Sequence, residues 1–66
     1  MKRADLLRHL RDSGCSLFRQ GSKHEVWWNP ENKKTSAVPR HSEINDFTAR
    51  SVCRALEVQP PSRFKR

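Results

Sequence analysis

The chain has 66 residues, of which 14 are Lys or Arg and 7 are Asp or Glu, giving a formal net charge of +7 and a pI near 10.5. That length holds one domain with a thin apolar core and no large enclosed pocket, so a substrate must lie across an open surface. The surplus of cations selects polyanionic partners, nucleic acid before an anionic membrane, because a basic amphipathic membrane helix with a broad apolar face is missing.

The N-terminal Met1-Lys2-Arg3-Ala4-Asp5 has no apolar run behind its charges and does not read as a signal peptide. No segment approaches the ~20 apolar residues of a membrane span. The expectation is a cytoplasmic protein without a membrane partner. Cys15 and Cys53 stand apart, without CxxC spacing or neighbouring His and carboxylate ligands, and read as two partly buried thiols in a reducing compartment. No metal and no small-molecule cofactor is expected.

Leu6, Leu7 and Leu10 give a first helix over Arg3 to Ser13, with Gly14 as its stop. Residues 15–20 read as a short strand. Gly21-Ser22-Lys23 is a tight connection, and His24 to Trp28, rich in aromatic and β-branched residues, reads as a second strand. Asn29-Pro30-Glu31-Asn32 is turn chemistry, and Lys33 to Val38 a third strand ended by Pro39. Asn45 or Asp46 caps a second helix, whose core stripe is Ala49, Val52, Cys53 and Leu56. The tail, with Pro60 and Pro61, cannot continue that helix, so residues 59–66 are expected to be a flexible basic extension of a single domain over 1–58.

The predicted fold class is therefore α+β, a two-layer α-β-β-β-α sandwich with a three-stranded antiparallel sheet and two helices on one face. Its other face is open to a long polyanion. Trp27 and Trp28 must point to opposite sides of their strand. One belongs to the core; the other is left to pack under a partner or serve as plain core cover, the preferred readings, or to stack on a base.

The chain has no Gly-rich phosphate loop, no nucleophile elbow and no carboxylate cluster for two metals. Catalysis without a metal would have to come from His, Lys, Arg or Ser. RNA cleavage fits, because the substrate brings its own nucleophile. A neutral imidazole removes the 2′-hydroxyl proton, the oxygen attacks phosphorus, and cations stabilise the developing charge. Of the three histidines, His9 reads as an ordinary helix residue and His41 as a phosphate contact in a basic loop. His24 follows Gly21-Ser22-Lys23, where a glycine lets backbone and phosphate approach. On pattern alone, a histidine at a strand end is more often a surface residue than a catalyst.

The run Arg19-Gln20-Gly21-Ser22-Lys23-His24 resembles the HicA family of bacterial toxins. Val38-Pro39-Arg40-His41, Glu43-Ile44, Thr48-Ala49-Arg50-Ser51 and Leu56 match that family in order and spacing, over about residues 1 to 58. The resemblance implies a double-stranded-RNA-binding-domain-like fold, endonucleolytic mRNA cleavage independent of the ribosome, and neutralisation by a HicB-type antitoxin protein. It also places the family's single catalytic His on His24. Many members carry a second His where this chain has Lys23. Arg19, Ser22, Lys23, Lys33, Lys34, Arg40 and His41 are then the candidate RNA contacts. The alternative is a non-catalytic module like a double-stranded-RNA-binding domain; a DNA-binding or scaffold element comes third, for want of a helix-turn-helix. For the toxin, an acidic antitoxin covering the sheet face and His24 is expected.

Overall fold

Three leucines on one side and a glycine behind them make α1, Arg3–Asp12, which buries Leu6, Leu7 and Leu10. Gly14 stops it in the left-handed region at φ +96, and the Cys15 N–H turns back to the Leu10 carbonyl at 2.9 Å. The start of α1 has no side-chain cap. Its backbone is held instead by the segment after β3, where the Arg3 N–H donates to the Ser42 carbonyl at 2.9 Å and Lys2 bridges to Glu43.

The remaining elements of this computed structural model are β1 (Ser16–Gln20), β2 (His24–Asn29), β3 (Lys34–Pro39) and α2 (Asp46–Leu56). The structure describes residues 1–61. The order is the α-β-β-β-α of an α+β fold, and the strands form one antiparallel sheet with β2 in the middle. Of the tail expected to be flexible, residues 62–66 lie outside the described residues. His9 Nε2 donates to the Gln59 carbonyl at 2.6 Å, and Pro61 is buried.

Alternation along β2 decides the two faces. Glu25, Trp27 and Asn29 are buried toward the helices, while His24 is exposed and Val26 and Trp28 are half-buried on the other side. Trp27, at 2% exposure, is the core indole. It packs with Val38, the leucines of α1, Ile44 and the stripe Ala49, Val52, Cys53 and Leu56 of α2. Burying an aromatic and several aliphatic side chains in so small a chain contributes on the order of 2 kcal/mol each before entropy is counted.

The third strand runs one residue further than expected, through Pro39, which pairs with His24. Proline is tolerated there because β3 is an edge strand with no neighbour needing its missing N–H. The turn between β2 and β3 also serves α2. Asn29 Nδ2 and Asn32 Nδ2 donate to the Leu56 carbonyl at 3.0 and 3.2 Å, satisfying an acceptor that the helix end leaves open. At the other end, Asn45 is the cap, its Oδ1 accepting from the Thr48 N–H at 2.8 Å. Among the described residues no helix is long and apolar enough to cross a membrane.

Candidate nucleic-acid interface and its histidine

The loop before β2 is built around a close approach. The Gly21 N–H donates to the His24 carbonyl at 2.8 Å, closing a turn over Gly21 to His24. A Cβ on Gly21 would stand 2.9 Å from that same oxygen, a contact that only glycine avoids. His24 is thus fixed through its main chain while its side chain is exposed. Ser22 and Lys23 are exposed at the tip of the bend.

Paired residues of an antiparallel sheet share a face. His24 therefore lies with Val26 and Trp28 of β2, with Pro39, Ala37 and Thr35 of β3, and with Arg19 and Ser16 of β1. A register shift between Leu17 and Arg19 inserts Phe18 as an extra residue, and its ring lies against Trp28 with centroids 5.4 Å apart. The bulge thus puts Phe18 and Arg19, neighbours in the chain, on the face that carries His24. Those nine positions include no Asp or Glu. All of β1 is exposed, with Phe18 at 58%.

Behind the same end of the sheet lies a polar cluster that sequence reasoning missed. Glu25, its side chain 11% exposed, accepts from the Trp27 indole N–H at 3.1 Å and from Gln20 Nε2 at 3.4 Å. Arg3 Nη2 is 2.6 Å from Glu25 Oε1, an ion pair whose alignment falls outside hydrogen-bond geometry. The directional bond of Arg3 is Nε–H to the Pro39 carbonyl at 2.9 Å. Arg40 Nη2 is 3.8 Å from Glu25 Oε2. The Trp27 hydrogen bond, followed by the Arg3 charge, holds the Glu25 carboxyl below its usual range against the upward push of burial. The signal was present in the alternation that puts Glu25 two residues before the core indole.

Of the expected contacts, Arg19, Ser22, Lys23 and Arg40 gather around the His24 end of the sheet, and exposed His41 follows Arg40 in the chain. Lys33 and Lys34 do not join them. They sit at the opposite end of β2, roughly 17 Å away at five residues' remove, and Lys34 Nζ is 3.9 Å from Glu57. Cys15 and Cys53 are free and buried; burial raises both thiols and, with Cys15 adding to it, pushes Cys53 up to about 11. Among the described residues no group of three His, Cys, Asp or Glu side chains is placed to hold a metal ion.

A small α+β protein of net charge +7, with an acid-free sheet face and an exposed histidine and several cations at one end of it, is, by class, a candidate polyanion binder. A family model, HicA toxin of bacterial toxin–antitoxin, matches residues 3–58. The chain belongs to the HicA family. It is accordingly a toxin of a toxin–antitoxin system, and a cognate antitoxin is its implied partner. No curated protein and no solved structure matches the chain.

Proposed function

We propose that this toxin is a metal-independent endoribonuclease that binds mRNA across the open sheet face and cleaves it with His24. The observation that carries the reading is the presentation of His24. Its main chain is locked by the Gly21 turn, and its imidazole is exposed on a face that carries Arg19 and no carboxylate, in a chain of HicA type. His24 would take the proton of the 2′-hydroxyl, the oxyanion would form the new bond to phosphorus, and the bond to the 5′-oxygen would break. Arg19, Ser22, Lys23, Arg40 and His41 are the contacts proposed for phosphates near the cut, with Lys33 and Lys34 serving a longer strand. A HicB-type antitoxin, acidic on the side it presents, would cover His24.

One observation favours the alternative of a non-catalytic RNA-binding module. Among the described residues the His24 ring has no hydrogen-bond partner, so no side chain orients its tautomer. Tightly controlled expression of wild type and His24→Ala separates the two. Growth arrest with reporter-mRNA decay from the wild type alone supports the enzyme. Identical behaviour of both chains rules His24 catalysis out. A chelator should leave cleavage by the purified wild type intact, and abolition by it would contradict metal independence.

A further inference from the structure

We propose that the corner formed by Phe18 and Trp28 is a base-stacking subsite for single-stranded RNA, a proposal that rests on the ribonuclease reading of His24. Trp28 lies four residues along β2 from His24 on the same face, about 13 Å away, a span that a single strand covers in a few nucleotides.

Two features mark the corner as a stacking platform. The Trp28 indole N–H donates to Ser16 Oγ at 3.0 Å, which satisfies its polar edge inside the chain and ties the half-buried ring to β1. Phe18 stands against it at an interplanar angle of 47°, a second wall that is itself 58% exposed. Neither ring belongs to the core cluster; they pack on each other at the open face.

Charge identifies the occupant. The bulge that brings Phe18 onto the face seats Arg19 next to it, and the face holds no carboxylate. An aromatic flanked by a cation suits a base with its phosphate. In a duplex the base faces are already stacked and the bases are read poorly, so the platform selects an unpaired strand. Partner packing at this indole, the reading preferred from sequence alone, is the competing occupant that the test separates.

The test measures affinity of purified protein for a short single-stranded RNA carrying 2′-O-methyl groups, which cannot be cut by its own 2′-oxygen, and for the same strand with abasic residues. The proteins are wild type, Trp28→Leu and, in case that half-buried position is needed for folding, Phe18→Leu. Stacking predicts that either substitution weakens binding of the intact strand about tenfold and leaves the abasic strand unaffected. Equal losses on both strands, or no loss, overturn the subsite. So does unchanged RNA affinity accompanied by lost binding of the cognate antitoxin, or by a changed oligomeric state, which would make the corner a protein-docking patch. Cleavage of an unmodified strand by wild type is read in parallel. If the wild type neither binds nor cuts, the ribonuclease reading fails as a whole, whereas cutting with unaltered affinity in both variants removes the subsite alone.

Discussion

Gly21 and Glu25 flank His24 in the chain, the one shaping its turn and the other anchoring the polar cluster behind it. Replacing Gly21 by Ala drives a Cβ to 2.9 Å from the His24 carbonyl, so the turn must open and carry His24 with it. We expect Gly21→Ala to lose about 1 kcal/mol or more of stability, and to lose RNA cleavage beyond what the fraction of folded protein explains. Thermal melts beside reporter-mRNA decay measure both, and full activity at wild-type stability would show that the turn does not position His24. Glu25 gives a pH dependence with a definite sign. Its carboxyl is held below the usual value of 4.5 in the folded chain, so its contribution is fully present above that value. It is lost as the pH falls through the lowered folded value. Urea midpoints taken across that acid window should fall less steeply in Glu25→Gln than in wild type. A parallel decline would remove Glu25 as the source.

At the scale of elements, the two helices are held by different means. Asn45 caps α2 directly, and Asn45→Ala should cost about 1 kcal/mol; an unchanged urea midpoint would mean that the core stripe alone holds that end. Both helices, the three strands and the two-layer order were legible in the sequence because leucine spacing, aromatic alternation and a cap residue each state a local preference that the whole fold repeats. The Phe18 bulge was not, and the Glu25 cluster was signalled only by the alternation that sets Glu25 on the side of the core indole. A bulge depends on how β1 meets β2, and no pattern within Cys15 to Gln20 announces the shift between Leu17 and Arg19. Position also sorts the lysines. Charge alone groups Lys33 and Lys34 with the other cations, although the predicted hairpin already sets them at its turn, away from His24, and the register puts them at the far end of β2.

For the molecule as a whole, charge and exposure organise the prediction. With +7 on 66 residues, RNA affinity should fall steeply with salt, by counterion release. Removing a cation that contacts phosphate should shrink the slope of log affinity against log salt by about one. We expect that change for Arg19→Ala and Lys23→Ala at the His24 end. Lys34→Ala, whose ammonium faces Glu57, should change the slope only on strands long enough to reach it. Equal effects of all three on the shortest strand that binds would refute a contact zone centred on His24.

The lock between Gly21 and His24 uses the main chain of the histidine and none of its ring. A change of the imidazole alone therefore leaves the scaffold standing, and on the proposed ribonuclease reading the chain that results should be disarmed yet intact. Such a chain should still titrate its antitoxin. A cell carrying a His24 mutant beside a normal copy would then hold a decoy that draws inhibitor away from the active toxin. A pull-down of the cognate antitoxin at equal efficiency by wild type and His24→Ala is the expected result, and a mutant unable to retain it would place part of the inhibitory grip on the imidazole itself.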